Sequence, residues 1–174
     1  VNAAPCADSV PPLIAYEAEV VLQSVRGKRR MPVADFITNG YETKLESGEL
    51  LVEVILPAPP ANVLQNYDQL GRRNALNITR LSLTSLLAFD DMGKVNLCRL
   101  VDGALLSKPQ RLTAVENALL GKPLNDESVA EALKVLDKLI EEAIGGRWSA
   151  VYKQPVYLNI FRDQMNKVRA QIAK

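Results

Sequence analysis

The first third of the chain alternates short apolar segments with turns, a pattern typical of β-hairpins. After Asp8 and Ser9, the stretch "PPLIAYEA" predicts a short apolar helix, because proline is tolerated in the first helical turn. The β-branched run "EAEVVLQSV" and the turn "RGKR" predict a hairpin of residues 19–25 against residues 28–33. A Ser-Gly turn then precedes a predicted strand over residues 50–56, which a proline ends.

The clearest linker is "PAPPA", residues 57–61. Three prolines within four residues can continue neither a helix nor a strand ladder. We therefore predict a boundary near residue 60, which divides the chain into residues 1–60 and residues 61–174.

Beyond the linker, longer runs with alternating character predict an antiparallel sheet. "NYDQLGRR" (66–73) is a short strand that ends in basic residues. "ITRLSLTSLLAF" (78–89) places its even-numbered side chains on one face and its odd-numbered ones on the other. The turn "DDMG" (90–93) and the returning run "KVNLCRLVDGALL" (94–106) complete a predicted three-stranded antiparallel meander.

The last third of the chain has apolar residues at helical spacing. "SKPQRLTAVENALLGK" (107–122) predicts a helix that starts at its proline and ends at its glycine. "NDESVAEALKVLDKLIEEAIGG" (125–146) predicts a second helix with acidic capping residues and a Gly-Gly stop, and an amphipathic stripe runs from Leu158 to Ile172. The predicted fold class is α+β, a three-stranded antiparallel sheet covered on one side by helices.

The amino-acid composition argues against several classes of functional site. The 174 residues include no His, two Cys and 5% aromatic residues, and the formal net charge is +1. The lack of His excludes His-based acid–base chemistry and His metal ligation, and two distant cysteines form no metal-binding CxxC pair. Low charge and few aromatics argue against a nucleic-acid partner. No apolar run is long enough to span a membrane, and two isolated thiols suit the cytoplasm, although one disulfide stays possible.

Few residues suggest chemistry on spacing alone. Asp90 and Asp91 are paired carboxylates that turn formation explains without a metal. Arg72 and Arg73, with Arg80, can bind phosphate, but a solvated strand end is the simpler interpretation. Neither a GxGxxG motif nor a P-loop occurs.

Three further positions have ordinary structural interpretations. "TAVE" (113–116) matches a capping box, and Cys98 on a strand suggests a core thiol. Asp8 has two interpretations that the sequence leaves open. It either caps the following helix or offers a carboxylate to a ligand hydroxyl.

Five stretches, in order, resemble one family. They are "NAAPCADSVPPLIAYEAEVVL", "GKRRMPVADFITNGYETKLESGELLVEVILP", "LGRRNALNITRLSL", "RLVDGALLSKPQRLTAVENALLGK" and "SAVYKQPVYLNIF". Together they resemble the FAD-binding medium subunit, or FAD domain, of the molybdenum hydroxylases, the family of xanthine dehydrogenase and carbon monoxide dehydrogenase. The resemblance covers nearly the whole chain.

The resemblance implies that residues 1–60 are the C-terminal part of an FAD-binding domain. Residues 61–174 are then the flavoprotein C-terminal α+β domain. In the family, the Gly-rich loops that bind the FAD pyrophosphate lie upstream of the segment that begins here at Val1. We therefore expect FAD to be bound mainly by residues upstream of this chain.

Three flavin contacts are implied by position. Asp8 matches a carboxylate that accepts from flavin or ribityl donors, and Leu51 matches an apolar residue near the isoalloxazine. Gln69 falls where many relatives have Lys, so it brings no charge to stabilise reduced flavin, and a one-residue shift of the alignment would place Asp68 there instead. Ala4 stands where relatives often have Ser.

The resemblance further implies an oxidoreductase subunit for electron transfer. A molybdopterin subunit oxidises substrate, 2Fe–2S clusters on an iron–sulfur subunit pass the electrons to FAD, and NAD or another acceptor receives them. No catalytic side chain and no metal ligand are expected in this chain. The alternative is a non-catalytic assembly fragment whose flavin site is completed by another chain, one that carries the N-terminal flavin-binding loops.

Overall fold

The computed structural model describes residues 2–71, 73 and 78–172. The helices are α1 (Val10–Ala15), α2 (Val33–Phe36), α3 (Thr113–Leu119), α4 (Asp126–Ile144) and α5 (Ala150–Ile172). The strands are β1 (Glu19–Ser24), β2 (Gly27–Pro32), β3 (Ile37–Asn39), β4 (Glu42–Thr43), β5 (Leu50–Ile55), β6 (Leu64–Leu70), β7 (Leu81–Phe89), β8 (Val95–Gly103) and β9 (Gln110–Arg111).

The first sixty residues form a three-stranded antiparallel sheet in the order β2-β1-β5, beside the small pair β3-β4. The predicted hairpin is confirmed, since β1 pairs with β2 from Glu19 opposite Pro32 to Ser24 opposite Gly27. The predicted strand after the Ser-Gly turn is β5, which pairs with the other side of β1. Its register shifts at Val21 and Leu22, where a bulge bends the edge of the sheet.

The predicted meander is also confirmed, with one addition. The second sheet has the order β6-β7-β8-β9, and all its pairs are antiparallel. The fourth strand, β9, consists of two residues that pair with Val101 and Asp102. The helix predicted to start at Pro109 therefore starts later, because Gln110 and Arg111 extend the sheet first.

The capping prediction for "TAVE" is wrong. The residue before α3 is Leu112, and no side chain caps this helix. The Glu116 carboxylate instead accepts from the backbone N–H of Leu100 at 2.8 Å and binds the Arg111 guanidinium. The capping box occurs at α4, where the side chains of Asn125 and Ser128 each accept from the backbone N–H of the other.

The central sheet lies between two apolar clusters. Leu83, Leu87 and Leu100 join the larger cluster with the buried faces of α3, α4 and α5, as the two-layer prediction requires. Leu86 and Val101 point to the opposite face and pack with α1, β1 and α2. The sheet is thus covered on both faces, and the N-terminal sixty residues supply the second cover.

Since the second cluster joins residues on both sides of the linker, the boundary near residue 60 stays a prediction. Residues 56–63 form neither helix nor strand. None of the helices in the described ranges combines the length and the apolar character that crossing a bilayer requires.

Candidate functional site

The segment before α1 is hydrogen-bonded to the turn between β3 and β4 and to the residue that follows β8. The backbone N–H of Tyr41 donates to the carbonyl of Ala3 at 2.8 Å, and the N–H of Ala104 donates to the carbonyl of Pro5 at 3.1 Å. The segment also packs closely, because a Cβ added to Gly40 would lie 2.9 Å from the Pro5 Cγ atom. The loop that carries Asp8 is therefore held by hydrogen bonds to Tyr41 and to Ala104.

Asp8 does not cap the helix. The N-cap position of α1 is Ser9, and no side-chain hydrogen bond caps the helix there. The Asp8 Oδ1 atom instead accepts hydrogen bonds from two hydroxyl groups, the Tyr67 phenol at 3.2 Å and the Thr79 hydroxyl. Of the two interpretations that the sequence left open, the helix cap is wrong.

Tyr67 lies on β6 with its side chain on the same face as that of Gln69, because alternate residues of a strand share a face. Both side chains are exposed, and Gln69 is opposite Ser82 on β7. Burial of part of the phenol, together with the charge of Asp8, raises the pKa of Tyr67 to about 12, although a hydrogen bond with Ser82 opposes the shift. Tyr67 is therefore a hydrogen-bond donor at neutral pH.

Asp68 lies on the opposite face of β6, against α5. Its carboxylate accepts from the Gln164 amide at 3.0 Å and pairs with the Lys167 ammonium. The one-residue shift that would put Asp68 in place of Gln69 thus gives a side chain engaged with a helix, turned away from Asp8. The geometry favours Gln69 of the two.

Leu51 lies on β5, half-buried against the second apolar cluster. It borders a cleft of about 200 Å³. The lining residues are Ala3, Ser9, Val10, Leu13, Val20, Val33, Phe36, Ile37, Leu51 and Val54. The cleft therefore reaches the start of α1, next to Asp8.

Of the three predicted contacts, Leu51 lines the cleft together with Ser9 and Val10, and Asp8 directly precedes these two residues in the chain without being part of the lining. Gln69 is two residues from Tyr67, whose phenol donates to Asp8. Sequence reasoning missed Tyr67 and Thr79. No local pattern marks them, since 59 and 71 residues separate them from Asp8.

The predicted basic site of Arg72, Arg73 and Arg80 lies only partly within the described residues. Arg72 lies outside the described residues, whereas Arg73 and Arg80 are exposed. The pKa of Lys153 is lowered by burial and by the nearby charges of Arg147 and Arg80, and its ammonium donates to the Ala104 carbonyl at 2.6 Å. Phosphate binding by Arg72, Arg73 and Arg80 stays a prediction.

The remaining candidates have structural roles. The Asp90 carboxylate accepts from the backbone N–H groups of Met92 and Lys94, as turn chemistry predicts. Cys98 is buried in the larger apolar cluster, and both Cys6 and Cys98 are free thiols. Within the described ranges, no three Cys, Asp or Glu side chains are grouped as a metal site would require.

Two family models match the chain in succession. Residues 1–59 match the model described as the FAD binding domain in molybdopterin dehydrogenase. Residues 65–168, more than half of the chain, match the model described as the CO dehydrogenase flavoprotein C-terminal domain.

Curated relatives agree with these models. The chain is 29% identical over 168 residues to the nicotinate dehydrogenase FAD-subunit of Eubacterium barkeri, covering 92% of this chain and 57% of the relative. It is 26% identical over 168 residues to the xanthine dehydrogenase FAD-binding subunit of Escherichia coli O157:H7, covering 96% of this chain and 56% of the relative. The chain therefore spans about half the length of the curated relatives it matches.

A solved structure gives the same result in three dimensions. Carbon monoxide dehydrogenase from Hydrogenophaga pseudoflava superimposes with a TM-score of 0.82 and 28% identity, over 93% of this chain and 56% of that one. The match confirms the α+β fold. Because the second family model covers more than half of its residues, the chain belongs to the CO dehydrogenase flavoprotein family, the FAD-binding flavoproteins of the molybdenum hydroxylases.

Proposed function

We propose that these 174 residues form the flavin-facing C-terminal part of an FAD-binding electron-transfer subunit. The observation that carries the proposal is the apolar cleft that Leu51 lines together with Ser9 and Val10, the two residues that follow Asp8 in the chain. The family model that matches residues 1–59 describes an FAD-binding domain, and the proposed ligand is therefore FAD.

The residues at this place fit part of a flavin. The isoalloxazine ring is largely apolar with polar groups along one edge, and the ribityl chain carries hydroxyl donors. An apolar wall that includes Leu51 suits the ring, and the exposed Asp8 carboxylate suits a donor at its edge. At about 200 Å³ the cleft holds only part of such a ligand, which agrees with a site that other residues complete.

The flavin supplies the redox chemistry, accepting and passing on electrons. The residues of this chain bind and orient it. Asp8 accepts a hydrogen bond, Leu51 excludes water from one side, and Gln69 offers an amide without a charge. Because a neutral amide stabilises an anionic reduced ring less than an ammonium does, Gln69 favours a lower flavin potential than Lys at the same position.

The partners and the electron route belong to this proposal. The electrons would come from 2Fe–2S clusters on an iron–sulfur subunit, fed by a molybdopterin subunit, and NAD or another acceptor would receive them. Relatives described as a medium chain and as a complex subunit support assembly with other chains. The free thiols Cys6 and Cys98 support a reducing compartment such as the cytoplasm.

The alternative is an assembly fragment whose flavin site another chain completes. Strand β5 exposes three apolar side chains, those of Leu50, Val52 and Val54. Such side chains favour contact with further polypeptide, and this contact is compatible with both functions.

Flavin binding by the complete native protein tests the proposal. We expect the purified protein to be yellow, and Asp8→Asn to weaken FAD affinity by about tenfold, the effect of losing a charge-assisted hydrogen bond. Asp91→Asn, an exposed aspartate in the β7–β8 turn, is the matched control and should leave affinity unchanged. A colourless protein that takes up FAD only when mixed with another chain would favour the assembly fragment. Equal FAD affinities for Asp8→Asn and Asp91→Asn would contradict the role of Asp8.

A further inference from the structure

Asp8 is held by two hydroxyl groups from distant parts of the chain. Tyr67 on β6 and Thr79, just before β7, both donate to the same carboxylate atom, Oδ1. Thr79 is only 3% exposed, whereas Asp8 is exposed to solvent. A buried donor thus fixes one side of a carboxylate that itself faces outward.

This arrangement differs from that of the carboxylates with purely structural roles here. Asp102 is fully buried and accepts from the backbone N–H groups of Leu106 and Gln110. Glu116 satisfies a backbone N–H and pairs with a guanidinium. Such contacts stabilise the fold directly. Two side-chain hydroxyls on an exposed carboxylate orient it and leave its charge in place.

One of the two hydroxyl donors, Tyr67, has a further neighbour. Ser82 forms a hydrogen bond with Tyr67, and it lies against the end of β8. There, a Cβ added to Gly103 would come within 2.1 Å of the Ser82 hydroxyl and 2.9 Å of the Pro11 ring. The sheet and α1 therefore meet tightly behind Tyr67, which restricts its position.

We propose that Tyr67 and Thr79 are positioning residues that orient the Asp8 carboxylate toward the flavin. The inference rests on the proposed function, in which Asp8 contacts the flavin. The two hydroxyls hold Oδ1, so that the carboxylate is presented in one orientation before FAD binds. Pre-orientation strengthens binding because the side chain loses less rotational freedom on forming the contact. It also keeps a negative charge at a fixed place, which opposes the gain of electrons by a nearby ring.

Isosteric variants of the complete native protein test this role. Tyr67→Phe and Thr79→Val remove one hydroxyl each and keep the shape of the side chain. Thr79→Ser retains the hydroxyl, and Tyr16→Phe removes a phenol that donates to Gln65 on the same strand, β6. The readouts are the FAD dissociation constant of the apoprotein and the midpoint potential of the bound flavin, with the melting temperature of every variant.

We expect Tyr67→Phe and Thr79→Val each to raise the FAD dissociation constant by about three- to tenfold, the usual cost of immobilising one side chain on binding. Both should shift the midpoint potential upward, in the same direction as Asp8→Asn and by less. Thr79→Ser and Tyr16→Phe should stay within about twofold of the wild type and keep its potential. A loss of stability alone would lower the melting temperature without this common shift in potential.

The outcomes separate the inference from the proposed function. If Asp8→Asn changes both readouts while Tyr67→Phe and Thr79→Val change neither, the positioning role is wrong and the proposed function stands. If Thr79→Ser is as impaired as Thr79→Val, Thr79 acts through packing, and the inference fails for that residue. If Asp8→Asn changes nothing, both the flavin contact and its positioning are overturned.

Discussion

The contact between β8 and α1 predicts a strong effect of one methyl group. Gly103 ends β8, opposite Ser82 on β7. An added Cβ would lie 2.1 Å from the Ser82 hydroxyl oxygen and 2.9 Å from the Pro11 Cγ atom, closer than non-bonded atoms approach. Both neighbours are buried, and Pro11 belongs to a rigid ring in the first turn of α1. Gly103→Ala must therefore displace the helix or turn the serine away.

The size of the effect follows from overpacking. Extra methyl groups in well-packed interiors cost about 1–3 kcal/mol, and we expect about 2 kcal/mol here because one of the two neighbours can rotate. For a chain of this length, that loss lowers the melting temperature by about 4–8 °C. Ser82 is a neighbour of Tyr67, and Pro11 follows Asp8 by three residues. Displacing either group should disturb Asp8, so Gly103→Ala should also weaken FAD binding by the complete protein.

Urea unfolding followed by far-UV circular dichroism measures the change. Gly146→Ala is the matched control, because nothing lies within 4 Å of the Cβ that it would add and its backbone is outside the left-handed region. That variant should stay within about 0.5 kcal/mol of the wild type. An unfolding free energy for Gly103→Ala equal to that of Gly146→Ala would refute the close contact between β8 and α1.

Three further outcomes follow from the structure. Glu116→Ala leaves the buried N–H of Leu100 without its acceptor and removes one of the two ion pairs of Arg111, so it should lower the unfolding free energy by about 2–3 kcal/mol. Glu142→Ala, in an exposed ion pair, should lower it by less than about 1 kcal/mol, and equal losses would contradict the buried role of Glu116. Burial raises the pKa of Asp102 to about 7, so the folded protein binds a proton that the unfolded chain releases near pH 4, and stability falls as pH rises between these values. Denaturation at several pH values measures this, because Asn does not titrate. The unfolding free energy of Asp102→Asn should rise relative to that of the wild type between about pH 4 and about pH 7, and the difference between the two should be constant above about pH 7. A difference that does not vary with pH would show that Asp102 has an ordinary carboxyl pKa. The 174-residue polypeptide by itself should bind FAD weakly in a fluorescence titration, and tight stoichiometric uptake would show that it holds the flavin unaided.

Much of the fold follows from local pattern. Strand β7 was predicted from its largely apolar run before a turn, whereas its burial on both faces was not predicted. The turn at residues 90–93 was predicted because aspartate and glycine are typical turn residues, and Asp90 accepts from the backbone of its own turn. Helix α4 was predicted with its Gly-Gly end, but its N-cap is Asn125, and the acidic residues predicted to cap it lie in its first turn. These features depend on residues within a few positions of one another, so the sequence carries them directly.

Other features depend on residues that only the folded chain brings together. The residues around Glu116 match a capping box, yet its carboxylate serves a strand sixteen residues away, and the pair before α3 joins the sheet because the edge of β8 is available to it. Local pattern cannot report such an edge.

The candidate site shows the same division. The family resemblance identified Asp8, Leu51 and Gln69 as candidate flavin contacts. Without the resemblance, the sequence did not decide whether Asp8 caps a helix or contacts a ligand. The tertiary structure decided against the cap, because packing of α1 on β7 and β8 places Asp8 beside the hydroxyls of Tyr67 and Thr79. Local spacing determined the longer helices and strands of this protein, whereas the hydrogen-bond partners of Asp8 were determined by the long-range packing that joins the first sixty residues to the second sheet.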